Sequence, residues 1–226
     1  MKKLVSAFFV LLIITNLYSQ KKSKKLSIDS LTQKKIKSEG VITSYLDDND
    51  ELFLELNDSI FKKQILVVTR FVQLPSNYSG YINAGSKTSE QVIRFERKGE
   101  KIYIIQKSFS NIANEIDPIN ISVTKNNLSP ILASFKILNK EKKRYLIDVS
   151  SFFLKDSPGF NIIRKTQRDR YKIGRADKNR SSIDSANSYP QNLEITHTLT
   201  FDASNPPRDN NSKTLTFQIN HSFIEL

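Results

Sequence analysis

Residues 90–110, EQVIRFERKGEKIYIIQKSFS, decide the fold class. Ile93 and Phe95 share one face of an extended segment while Val92, Arg94 and Glu96 take the other, the period-two alternation of a half-buried strand. Lys98-Gly99 interrupts it, and Gly99 supplies the positive φ that a tight hairpin turn requires. The return segment, residues 102–105 (IYII), is apolar on both faces, so it is expected inside a sheet and not at its edge.

The same signature recurs outward from this hairpin. Residues 41–45 and 51–56 read as strands joined by a turn at Asp47-Asp48-Asn49-Asp50, and residues 64–74 (QILVVTRFVQL) as a central strand. Downstream, residues 129–139 place Ile131, Ala133, Phe135 and Ile137 on one face. Residues 145–149 form a further strand running into Ser150-Ser151-Phe152-Phe153, a short helix with Ser150 as its cap. Residues 193–201 and 214–224 are the closing strands. Between these lie a mixed polar and apolar stretch, 111–127, with Asp117-Pro118 as a turn signal, and a basic stretch, 160–188, that breaks the pattern. Within the latter, Asp177 and Arg180 are spaced to pair on one helical turn. The expected class is mainly β, an antiparallel sheet or sandwich with one or two short helices, preceded by a signal peptide.

The 226 residues include 14 Phe and 8 Tyr, ample material for a core, and the net charge is +12. Lys2 and Lys3, an apolar run over 4–14, and a polar exit at Asn16–Gln20 make a secretory signal, with cleavage expected near Ser19; a membrane anchor is the alternative. There is no Cys, which excludes a lipid-modified cysteine at that site, disulfides and thiolate metal centres. The expected organisation is a signal peptide over 1–19, a flexible Lys-rich tail over 20–39, and a β-rich domain over 40–226. Export implies a periplasmic, cell-surface or extracellular location without a transmembrane segment after cleavage.

Lys21, Lys22, Lys24, Lys25, Lys34, Lys35 and Lys37 stand against Asp29 alone, a tail suited to anionic surface polymers. No aromatic interleaves them, so a stacking platform for nucleic acid is not expected. Asp47–Asp50 resembles the opening of a calcium loop, but Leu52 stands where that loop needs Gly, and it reads as a plain turn. Gly80-x-x-x-x-Gly85-Ser86-Lys87-Thr88 misses the phosphate-loop spacing by one residue and precedes a strand, not a helix. His197 and His221 each lie inside an alternating strand, without a His-Glu-x-x-His pattern, and read as strand residues with a solvent or backbone hydrogen bond. No Gly-x-Ser-x-Gly occurs. Nothing here marks a catalytic or metal site.

The hairpin itself, Glu90-Gln91-Val92-Ile93-Arg94-Phe95-Glu96-Arg97-Lys98, resembles the N-terminal domain of unknown function of the secreted bacteroidete-type zinc-dependent metalloproteases. Collinear with it are Ser108-Phe109-Ser110-Asn111-Ile112-Ala113, the stretch Asn127-Leu128-Ser129-Pro130-Ile131-Leu132-Ala133-Ser134-Phe135, and Asp148-Val149-Ser150-Ser151-Phe152-Phe153. Asp177-Lys178-Asn179-Arg180-Ser181-Ser182-Ile183 and Tyr189-Pro190-Gln191-Asn192-Leu193-Glu194-Ile195 complete the likeness, which spans residues 40–226. It implies that Arg94, Glu96, Arg97, Asn111, Asp148, Asp177, Arg180 and Asn192 are structural or interface residues. The family's zinc ligands sit on a His-Glu-x-x-His helix of a later domain that has no counterpart here. The expectation is a truncated or free-standing accessory domain with a scaffold, pro-region or substrate-presenting role, itself non-catalytic and without cofactor, zinc belonging only to the absent catalytic domain. Its partner would be a metalloprotease catalytic domain in cis or trans. The alternative is a secreted binding module for glycan, lipid headgroups or a protein, using the basic tail and the Tyr78/Tyr81 loop.

Overall fold

Alternating apolar and polar residues generate one antiparallel sheet from β1 (Ile36–Ser38), β2 (Thr43–Leu46), β3 (Leu52–Asn57), β4 (Ile65–Gln73), β5 (Lys87–Lys98), β6 (Lys101–Lys107), β7 (Ile131–Glu141), β8 (Arg144–Asp148), β9 (Ile173–Ala176), β10 (Ser182–Ser188), β11 (Asn192–Ala203) and β12 (Thr214–Glu225). The computed structural model describes residues 26–79, 81–208 and 211–226. The signal segment, Lys21–Lys25 and Gly80 lie outside the described residues. Four short helices accompany the strands: α1 (Ile28–Thr32), α2 (Ile119–Asn126), α3 (Ser150–Phe153) and α4 (Lys165–Tyr171).

The opening hairpin forms as its alternation dictates. Lys98 lies opposite Lys101 and Phe95 opposite Ile104, leaving a two-residue turn. Of the two turn residues only Gly99 has a positive φ, +60°, the type II′ pattern whose twist matches the flanking strands. Ile93 and Phe95 are buried and Arg94 exposed, and β6 lies between β5 and β7, inside the sheet.

Strand order is β1-β2-β3-β8-β7-β6-β5-β4-β12-β11-β10, with β9 on the far end of β11. The sheet curls until its two ends meet. Ser44 Oγ donates to the Ala186 carbonyl (2.7 Å), Ser188 Oγ to Ile42 (2.5 Å), Val41 N to Tyr189 (2.8 Å) and Ser188 N to Ser38 Oγ (2.8 Å), so serine hydroxyls and scattered amides replace a regular ladder at the seam. Gly40 permits this approach, since a Cβ there would sit 2.3 Å from the Tyr189 carbonyl oxygen. Closure removes exposed edges that would otherwise template aggregation.

The interior is filled by side chains in two apolar groups. One holds Ile65, Val67, Ile93, Phe95, Ile102, Ile104, Leu193, Ile195 and Phe223, joined by Phe152 and Phe153 of α3 and by Phe160 from the loop behind it. The other holds Phe71, Tyr78, Ile162, Tyr171, Leu199, Phe201, Phe217 and Ile219. On the outer face of β2, β3 and β8, Ile28 of α1 covers Tyr45 and Leu146.

Several expectations change. The tail is not flexible over its whole length: α1 and β1 belong to the fold. Ile28 is fully buried, and Lys35 bonds Asp47 (2.6 Å) and Glu51 (2.7 Å). Those two acids raise the Lys35 pKa against the opposing effect of burial. The domain therefore begins before Gly40. Ser150 does not cap α3 with its side chain; the cap position is Val149, and the Ser150 hydroxyl turns to Asp148 and the Leu52 carbonyl. Residues 111–127 contain α2, and 160–188 contain α4, β9 and β10. Ile131 is exposed, because the β6–β7 register shifts between Ile104 and Ile105. The acidic turn behaves as read, with Asp47 Oδ1 accepting from Asn49 N and Glu51 N.

Candidate functional site

Each residue singled out by the resemblance has its own partner within the chain. Arg94 Nη2 donates to Glu96 Oε2 (3.0 Å), and the Arg97 guanidinium lies 5.3 Å over the Tyr145 ring, whose hydroxyl donates to Asp58 Oδ1 (2.8 Å). Asp148 Oδ1 accepts from Ser150 N (2.9 Å), which shapes the entry to α3. Arg180 bridges Asp177 and Asp202, both at 2.7 Å, and thereby ties the turn Lys178–Arg180 to β11. Arg180 in turn holds the Asp177 carboxyl below its usual range. Asn192 Nδ2 donates to Glu194 Oε1 (2.7 Å), and Asn111 Nδ2 to Asn127 Oδ1 (2.7 Å) across the excursion that carries α2. Among the described residues these pairs stand at separate places in the fold and share no hydrogen bond between clusters.

The histidines correct their reading. His197 and His221 are 3% and 1% exposed, pointing inward between apolar neighbours Ile195 and Leu199, and Ile219 and Phe223. Their Nε2 atoms are 2.9 Å apart, and His221 Nδ1 is 2.8 Å from Thr69 Oγ1. With the Thr69 hydroxyl donating to His221 Nδ1, His221 Nε2–H donates to His197 Nε2 and the last proton resides on His197 Nδ1. Among the described residues that atom has no partner at hydrogen-bond geometry, though the Phe153 backbone lies close enough to oppose the effect of burial. Ser89, opposite Thr69 on β5, likewise buries an unbonded Oγ. Ser89, Thr69, His221 and His197 thus form a polar layer across β5, β4, β12 and β11, flanked by Phe153 and Phe160 rings. Burial lowers the His197 pKa to about 4 and that of His221 well below 6.5, so both rings are neutral at pH 7. Among the described residues no group of three or more His, Cys, Asp or Glu side chains gathers as a metal site.

A surface cleft of about 480 Å³ opens between the 75–86 loop and the start of α4. Phe71 and Ile162, both buried, form its floor, and Ile82 one wall. Ser79, Ser86, Thr88, Thr166 and Gln167 line the rim with hydroxyl and amide groups, beside Arg164 and Lys87. Tyr81 stands at the rim 98% exposed. Tyr78 does not join it: at 2% exposure it is a core residue, donating to Gln167 Oε1 (2.9 Å) and accepting the Tyr171 hydroxyl at its carbonyl (2.6 Å). The expected surface pair of tyrosines is therefore one tyrosine. No sequence motif marked this cleft, since Tyr81 and Arg164 are brought together only by the fold.

Residues 25–74 match a family model described as Domain of unknown function (DUF5118), and residues 85–226 one described as Domain of unknown function (DUF5117). No curated protein and no solved structure matches the chain. The two matched segments are not two bodies. β4, from the first, is hydrogen-bonded on one side to β5 and on the other to β12, both from the second, and β3 pairs with β8 in the same way. With the second model covering more than half of its length, the chain belongs to the DUF5117 family of domains of unknown function.

Proposed function

We propose that the chain is a non-catalytic, exported accessory domain that acts with a zinc-dependent metalloprotease catalytic domain, in cis or in trans, as a scaffold or pro-region. The observation that supports this reading is the use to which the resemblance-bearing residues are put. Arg94 with Glu96, Arg180 with Asp177 and Asp202, Asn192 with Glu194, and Asp148 with Ser150 spend their polar atoms on each other at the surface. A catalytic set would converge on one reacting position, with a base and a nucleophile in mutual reach. Residues that bond locally and stand apart preserve a shape for a partner to recognise. Zinc, in this reading, belongs to the partner domain.

The test is association. Co-expressed with the His-Glu-x-x-His catalytic domain of a full-length member of the family it resembles, the chain is expected to co-purify with it. The purified chain alone is expected to retain no zinc and to leave casein intact. Stoichiometric zinc together with casein hydrolysis by the chain alone overturns the proposal.

A further inference from the structure

We propose that the cleft between the 75–86 loop and α4 binds an acidic saccharide, with Tyr81 as its stacking face and Arg164 as its carboxylate contact. This site is separate from the accessory role. An aromatic ring 98% exposed on a folded surface leaves its apolar face to water, and none of the described residues covers it. The ring stands at the rim of a cleft whose buried lining is apolar, Phe71 and Ile162, and whose other lining residues supply hydroxyls and one amide. That combination matches a pyranose, which presents a C–H face to stack and equatorial hydroxyls to hydrogen-bond. The charge adds the second half of the specificity. Lys87 is ion-paired with Glu90, whereas the Arg164 guanidinium has no carboxylate partner among the described residues. A free guanidinium fork fits a uronate carboxylate with two parallel hydrogen bonds. The net charge of +12 draws a polyanion toward the chain.

The experiment is calorimetric titration of the whole chain with three tetrasaccharides, an oligogalacturonate, an oligomannuronate and a hyaluronan fragment, and with neutral maltotetraose. It is run at about 0.3 M salt to screen the lysine-rich tail. At least one acidic sugar is expected to bind and maltotetraose to bind more weakly. Arg164→Gln is expected to weaken the acidic sugar about tenfold to a hundredfold and to erase its advantage over maltotetraose. Tyr81→Ala is expected to weaken both by about tenfold. Both side chains are exposed, so neither substitution threatens folding. Failure of all three acidic sugars to bind overturns the proposal, as does binding indifferent to both variants, which would belong to the tail. Poly-glutamate bound through Arg164 in the absence of sugar binding also overturns it, and assigns the cleft to acidic peptides.

Discussion

Lowering the pH from 6.5 to 4.5 is expected to destabilise this protein steeply, and the buried histidine pair is the reason. In the unfolded chain each imidazole takes a proton near pH 6.5; in the fold His197 does so only at about 4, and burial beside His197 holds His221 well below 6.5. Between these values the unfolded state binds more protons, so stability is complete above 6.5 and is lost as the pH falls toward 4. Each histidine contributes a slope of about 1.4 kcal/mol per pH unit, and His197 alone about 3 kcal/mol over its window. The carboxylates that the fold holds low, Glu55, Asp47 and Asp177, titrate below their ordinary values near 4.5 and 3.8, outside the upper part of this window. Urea midpoints at pH 7, 5.5 and 4.5 measure the effect. His221→Leu is expected to remove about half of the slope, because one of two uncharged rings is gone. A midpoint unchanged between pH 7 and 4.5 contradicts the buried neutral pair.

The second large effect is at Glu55. Its side chain is 7% exposed on β3, and it accepts from Arg144 Nε and Nη2, both at 2.7 Å, and from the Tyr45 hydroxyl at 2.9 Å. Burial works to raise its pKa, and the hydrogen bonds from Arg144 and Tyr45 outweigh that and hold it below the usual value. Tyr45 moves the opposite way, pushed up to about 12 by burial and by the carboxylate it donates to. Arg144→Met leaves the carboxylate buried with one neutral donor, at a cost of about 3 kcal/mol, the lower end for a broken buried pair because Arg144 is itself a third exposed. Adding Glu55→Gln to Arg144→Met is expected to restore more than half of that loss in chemical denaturation. A single variant as stable as the parent would show that the pair carries no net structural weight.

The strands were legible wherever one face is buried and the other wet, as in β5, β11 and β12. The same parity located the histidines: His197 shares a face with Ile195 and Leu199, and His221 with Ile219 and Phe223. Residue type suggested solvent, and alternation was the better guide. Elements built against local chemistry were not legible. The β7–β8 turn uses Lys142 and Lys143, both with positive φ, where Asn-Gly is the ordinary choice. The α1 helix hides among lysines, and its place is secured by Ile28 against Tyr45 and Leu146, contacts more than a hundred residues apart in the second case. β9 and β10 sit in a stretch dominated by Arg and Lys, held by pairing to β11 and not by their own propensity. The cleft needed Tyr81 and Arg164, 83 residues apart in the chain, to line one opening, which no spacing rule supplies.

Both matched segments build one closed sheet, with β4 wedged between β12 and β5 and carrying Ile65, Val67, Thr69 and Phe71 into the interior. Removing it opens the middle of the sheet and exposes both apolar groups at once. The most direct test is to express residues 25–74 and 85–226 separately and follow each by circular dichroism with heating. Each piece alone is expected to lack a cooperative transition, and an equimolar mixture to regain one together with the sheet signal. A cooperative, sheet-rich transition from residues 85–226 alone would contradict the single interlocked sheet.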